Sequence, residues 1–265
     1  MNETLRFYFP IPVFEENMEL TAGQELTHQM QSVLRLRPND EVILINGLGK
    51  ACIARILAFA GRAAQLRIEQ MINLNTEPPV SVYLYQGMLK SAKFEWIIQK
   101  GTEIGVTAFI PTISEYSMKG LDEAGVAKKQ RWRSIAIEAM EQSGRAILPV
   151  IEEPAQLRQA LQNAASHCQA IFLAWEESGK QLRTTDISGD KSGLQAMAAN
   201  VIQYTQVERP AIALFIGPEG GFSESEVQMA QSAGAKIIAL GPRILRAETA
   251  AIAAAILIIS ACGGM

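Results

Sequence analysis

Histidine and cysteine are scarce in this chain, two of the first and three of the second among 265 residues. Cys52, Cys168 and Cys262 are odd in number, far apart and without a C-x-x-C pair. That excludes a disulfide framework and a cysteine-rich zinc site, and suits a reducing cytosol. With only His28 and His167, a histidine-rich metal centre is excluded too, so no metal is expected. Basic charge is not in excess. The formal net charge is −3, which argues against a nucleic-acid coat, although a local basic stripe matters more than the total. The longest apolar run, Ala250 to Ala261, is shorter than the roughly 20 residues of a membrane span. The opening MNETLRFYFP lacks the cationic-then-apolar layout of a signal peptide, and the expectation is a soluble, cytoplasmic protein. What is present is apolar material: 48% hydrophobic and 19% charged residues, enough to bury a proper core.

The pattern changes along the chain. Glu41–Asn46, Lys50–Ala60 and Arg62–Glu69 read as strands separated by Gly47-Leu48-Gly49 and Gly61, with one short helix over Leu26–Leu36 stopped by Pro38. Short strands joined by tight turns predict a small barrel. Asn73–Pro79 reads as a linker, which divides the chain into residues 1–73 and 74–265. From Val80, strand-like runs (VSVYLYQG, VTAFIPTI, CQAIFLAW, PAIALFIG, AKIIALG) alternate with helical segments at Phe94–Ile104, Lys128–Gln142, Pro154–Ala165, Glu224–Ala233 and Thr249–Ser260. Continuous apolar strands alternating with helices imply an α/β fold whose parallel sheet is covered on both faces. Ligands then sit at the carboxyl ends of the strands, which directs attention to the loops after Trp175, Ile216 and Leu240.

Two of those loops carry chemistry. In IGPEGGFSESE, Ile216 to Glu226, a strand ends in a glycine-rich turn and Ser223 with Glu226 forms a capping box that opens a helix. The loop matches neither G-x-G-x-x-G nor a phosphate-binding P-loop. Glu219 at its centre would repel a phosphate and tolerate a cation. In LGPRILRAETAAIAAA, Leu240 to Ala255, the loop carries Arg243, Arg246 and Glu248 ahead of a small-residue helix. Alone, the first loop reads equally well as an ordinary strand-to-helix turn, and the second somewhat better as a turn whose helix is capped by Glu248 or Thr249. Together they open at one edge of the same predicted sheet.

GPEGGFS followed by LGPRILRAETA resembles the ribosomal RNA small-subunit methyltransferase E family, which methylates N3 of a uridine in 16S rRNA. EAMEQSGR (Glu138–Arg145), FEWIIQKGTEIGV (Phe94–Val106) and a leading Arg-Phe-Tyr before VLRLRPNDEV fit the same family, so the resemblance covers essentially the whole chain. Departures are Ala92 and Gly101, where the family is expected to have Gly and Ala, and Tyr116, where it usually has Arg. The resemblance implies a PUA-like RNA-binding β-barrel over residues 1–73 and a SPOUT-type parallel sheet with a C-terminal trefoil knot over 74–265. It further implies S-adenosyl-L-methionine held by Leu173, Ala174, Trp175, Ile216, Gly217, Pro218, Glu219, Gly220, Leu240, Gly241, Arg243, Ile244 and Leu245. A homodimer through the knot region is implied as well, to which the Thr249–Ser260 helix contributes.

Uridine N3 must lose its proton before it attacks a methyl group. Glu248 is the candidate general base, and Arg246 and Arg6 are the candidates for stabilising the charge that develops. RNA contact is expected from Arg6, Arg35, Arg37, Lys50 and Arg145, with Arg55 and Arg62 on the same basic face and Phe7 and Tyr8 available for stacking. So weakly basic a face points to the assembled small ribosomal subunit as substrate. Competing readings are a knotted methyltransferase with a tRNA or ribose 2′-hydroxyl target, a non-catalytic RNA-binding assembly factor, and a nucleotide-dependent dehydrogenase. The last lacks the dinucleotide fingerprint.

Overall fold

The computed structural model describes residues 5–117, 125–176, 201–203 and 207–265. The chain divides into two compact units, Met1–Glu77 with Ile137–Leu148, and Pro78–Ala136 with Pro149–Met265.

The first unit holds β1 (Arg6–Tyr8), β2 (Glu19–Ala22), α1 (Gln24–His28), β3 (Glu41–Ile45), β4 (Ala51–Ala60) and β5 (Ala63–Ile72), in sheet order β1-β3-β4-β5-β2. β4 and β5 form a hairpin across Gly61-Arg62, and Gly61 adopts φ +62°, a conformation that favours glycine. The three long strands lie close to their expected bounds because their apolar residues alternate. Ala54, Ile56, Leu66 and Ile68 are buried with Phe7, Met30, Val42 and Leu44 in one core. Phe7 is therefore wholly buried, which corrects the expectation that it stacks on RNA. The expected helix over Leu26–Leu36 is shorter. It is helical only to His28, continues as one π-helical turn Gln29–Val33, and leaves Arg35 at φ +58°.

Among the described residues, every strand pairing of the second unit is parallel. β6 (Ser81–Gly87), β7 (Ala108–Ile113), β8 (Val150–Ile151), β9 (Ala155–Gln156), β10 (Ala170–Ala174), β11 (Ala211–Ile216) and β12 (Lys236–Ile238) run in the order β12-β10-β11-β6-β7-β8, with β9 also on β7. Helices whose full bounds lie among the described residues are α2 (Ser91–Ile104), α3 (Val126–Ser143), α4 (Leu157–His167), α5 (Glu224–Ser232) and α6 (Ala247–Ala261); the last residues of α3 belong to the first unit. Strand interiors are buried on both faces, as in Ile212–Phe215, and Tyr85 stacks on Phe215 with ring centroids 4.3 Å apart. Gly101 stands in α2 where a Cβ would lie 2.6 Å from the Phe109 ring, so the aromatic side chain occupies the space of the missing methyl. In register, Ile238, Ala174, Ile216 and Gln86 form one row across four neighbouring strands, so the carboxyl ends of β12, β10, β11 and β6 come out at a single edge. Among the described residues, no helix is long and apolar enough to cross a membrane.

Candidate active site at the carboxyl edge of the parallel sheet

The loop after β11 is fixed by close backbone approach and by two buried side chains, Gln86 and Glu226. Gln86, fully buried at the end of β6, donates its Nε2 to the carbonyls of Gly87 (3.1 Å) and Gly217 (3.2 Å). A Cβ on Gly87 would meet the Pro218 nitrogen at 2.3 Å, and one on Gly220 would meet the Tyr116 Cβ at 2.7 Å. Gly221 turns the chain at φ +73° and donates to the Pro218 carbonyl at 3.0 Å. The expected capping box is present at the start of α5: the Glu226 amide donates to Ser223 Oγ, and the Ser223 amide donates to Glu226 Oε2. Glu226 does more than cap. Its Oε1 accepts the Glu115 amide at 2.8 Å, so one buried carboxylate ties the segment after β7 to the loop after β11.

These segments, with those after β10 and β12, enclose a cavity of about 1310 Å³. Its lining includes Ala174, Trp175, Ile216–Gly220, Leu240, Gly241, Arg243–Leu245 and Arg246, which brings together nearly all the residues expected at a cofactor site. Leu173 lies one residue inward, wholly buried in the core. Arg243, Ile244 and Arg246 are exposed. Glu248, in the first turn of α6, is not among the lining residues; its side chain is 16% exposed, and its Oε2 is buried without a hydrogen-bond partner.

Three lining residues carry no signal in the flanking motifs. Lys93, in the first turn of α2, places Nζ 2.9 Å from Glu219 Oε1 and 3.9 Å from Glu248 Oε2. Glu115 and Tyr116 arrive from the end of β7, the tyrosine half exposed. Only the fold joins these positions to the two loops, although SAKFEWIIQKG already placed a lysine at the head of a helix.

The remaining expected residues lie in the first unit. Arg6 sits on β1 with its guanidinium against Gly144 and its Nε buried without a hydrogen-bond partner. Arg35, Arg37, Lys50 and Arg62 are exposed, while Arg55 is paired with Glu41 and Glu69. Arg145 was expected either to contact RNA across a dimer or to hold the dimer together. In the chain it is 3% exposed, with its guanidinium on Glu77 at 2.7 Å, because a buried cation needs an opposite charge beside it. No cysteine is a ready nucleophile: burial pushes the Cys52 thiol up to about 11 and the Cys168 thiol up to about 12. Among the described residues, no group of three or more acidic, histidine or cysteine side chains is placed to hold a metal ion.

Known proteins match the chain along most of its length. A family model described as an RNA methyltransferase domain matches residues 76–259, and one described as an RNA methyltransferase PUA domain matches residues 23–69. Ribosomal RNA small subunit methyltransferase E of Bacillus subtilis (strain 168) is 33% identical over 89% of this chain and 88% of its own. Its counterpart from Synechocystis is 32% identical over 91% and 72%. The crystal structure of the Neisseria gonorrhoeae enzyme of that name, bound to S-adenosyl methionine, superposes with a TM-score of 0.78 at 29% identity, covering 96% of this chain and 95% of the other. On the strength of the domain match and of relatives spanning nine-tenths of its length, the chain belongs to the ribosomal RNA small subunit methyltransferase E family.

Proposed function

We propose that the protein transfers a methyl group from S-adenosyl-L-methionine to N3 of one uridine in 16S rRNA, with the assembled small ribosomal subunit as its substrate. The observation that carries this reading is the cavity at the carboxyl edge, formed by the loops after three adjacent parallel strands, β10, β11 and β12. At about 1310 Å³ it exceeds the roughly 300–1,000 Å³ of an ordinary small-ligand site, which leaves room for a cofactor and a base together. The residues fit the cofactor. Gly220 brings bare backbone to the lining where a Cβ would lie 2.7 Å from the Tyr116 Cβ, and a Cβ on Gly217 would lie only 3.1 Å from Gly221. Ile216, Pro218, Leu240 and Leu245 offer an apolar wall, and Glu219, paired with Lys93, adds a carboxylate. When bound, the cofactor supplies an electrophilic methyl on a sulfonium.

The chain's own part is alignment and charge. Ala174, Trp175, Ile216–Gly220, Leu240, Gly241 and Arg243–Leu245 hold the cofactor, with Leu173 supporting them from the core. Glu248 accepts the N3 proton, and Arg246, exposed on the lining, faces the resulting negative charge. Arg6 is kept as a second cation for the RNA, and Arg35, Arg37 and Lys50 as phosphate contacts on the first unit. Residues 74–265 would carry the trefoil knot. A homodimer would form through α6, on which Ile252, Ile256 and Leu257 remain only partly buried.

The test is isothermal titration with S-adenosylmethionine, beside Gly220→Trp. Binding by the wild type and its loss in the variant are expected. Nucleoside mass spectrometry of treated subunits should then show N3-methyluridine, formed faster on subunits than on naked 16S rRNA. Another methylated nucleoside would replace the target, and equal rates would remove the subunit requirement.

A further inference from the structure

Lys93 stands in an unfavourable place for a lysine. It lies in the first turn of α2, which contains no acidic residue, so its charge opposes the helix dipole. What it gains is two carboxylates from separate elements: Glu219, 2.9 Å away in the loop after β11, and Glu248, 3.9 Å away in the first turn of α6. Lys93 and Glu219 both line the cavity, whereas Glu248 stands off the lining with an oxygen that no hydrogen bond satisfies. A cation is therefore held at the cavity wall, between the two loops, in contact with the group proposed to receive the proton.

We propose that Lys93 is a catalytic residue of the methyl transfer: its ammonium stabilises the negative charge left on the uracil ring when N3 ionises. The inference rests on the uridine-N3 reading given above. In the step, the N3–H bond breaks and the proton goes to the Glu248 carboxylate. The N3 electron pair then forms a bond to the methyl carbon as the carbon–sulfur bond breaks, and that bond's electrons stay on sulfur. Proton transfer neutralises Glu248 and moves one negative charge onto the base. Lys93 thereby exchanges one anionic partner for another across the cavity wall, with Glu219 holding it in place throughout.

The experiment compares wild type, Lys93→Met and Lys93→Arg in single turnovers on unmethylated small subunits containing either uracil or 5-fluorouracil. Lys93→Met should lower the rate about 100-fold while the cofactor Kd stays within about threefold, and Lys93→Arg should restore most of the rate. The fluorinated ring has a more acidic imide and needs less stabilisation, so the Lys93→Met deficit should shrink about tenfold on those subunits. A residue of merely structural importance would show the same deficit on both. An equal deficit, or a wild-type rate in Lys93→Met, overturns the inference. Wild type that makes no N3-methyluridine on either substrate overturns the underlying reading instead.

Discussion

Two clusters of charge, one in each unit, are assembled in opposite ways. In the first unit Arg145 and Glu77 are 3% and 14% exposed, the guanidinium makes several bonds to both carboxylate oxygens, and the Ile147 amide donates to the same carboxylate. In the second, Lys93 and Glu219 are about one-third exposed, 34% and 36%, and Glu248 keeps a buried oxygen with no hydrogen-bond donor. The first cluster is closed, with its polar atoms matched internally. The second is open, with charge facing a cavity and an acceptor left over. Closed clusters hold a chain in its fold, whereas open ones retain capacity for a ligand.

That contrast can be broken by experiment. Arg145→Ala should show the largest effect, leaving Glu77 buried without its cation and lowering unfolding free energy by about 3–5 kcal/mol in urea titrations. Lys93→Met should leave the same titration within about 0.5 kcal/mol, and comparable losses for the two variants would erase the distinction. Glu226→Ala tests an intermediate case, a closed carboxylate beside the open site. It should destabilise by about 2 kcal/mol through the lost cap and the unpaired Glu115 amide, and should weaken cofactor binding as well. A melting shift without any change in binding would show that the two loops are independent.

Glu141 sharpens the comparison through pH. Burial raises its pKa above the ordinary 4.5, opposed by the bond it accepts from the Tyr8 amide, with Glu138 nearby raising it further. A carboxyl that binds its proton more tightly in the folded chain adds stability below pH 4.5, and loses it as pH rises through the folded value. Glu141→Gln should therefore flatten the fall in melting temperature on the alkaline side of pH 4.5. A variant that tracks the wild type would remove this carboxyl from the account. The smallest effect belongs to Arg131 with Glu95 on the surface of the second unit: with Arg131 67% exposed, Glu95→Gln should leave the urea midpoint nearly unchanged.

The same contrast decides what could be read from the sequence. β6, β7, β10 and β11 were legible because a parallel strand buried on both faces is written as a continuous apolar run. β1, β2, β8 and β9, at two to four residues, are too short to show a period, and β1 is defined only by its parallel register with β3. The two loops were legible because glycine, arginine and glutamate stand together in each. Lys93 and Tyr116 were not, since each reaches the cavity from another element; the Lys93–Glu219 pair spans 126 positions. The partner of Arg145 was hidden for a related reason. Nothing in QSGR announces a buried ion pair with Glu77, 68 positions away. Nor does any pattern announce that Ile137–Leu148 joins the first unit.

α6 buries Ala250, Ala251, Ala254 and Ala255 where it meets α2 and the sheet. Methyl groups have no rotamers to rearrange, so α6 brings a stiff, small-residue stripe to this packing. Lys93 begins one of these helices and Glu248 the other. Their separation is thus gauged by the chain itself, much as a machinist sets a gap with a solid shim. An added methylene in that stripe would have nowhere to dissipate, and would be felt at the first turns as a misplaced charge.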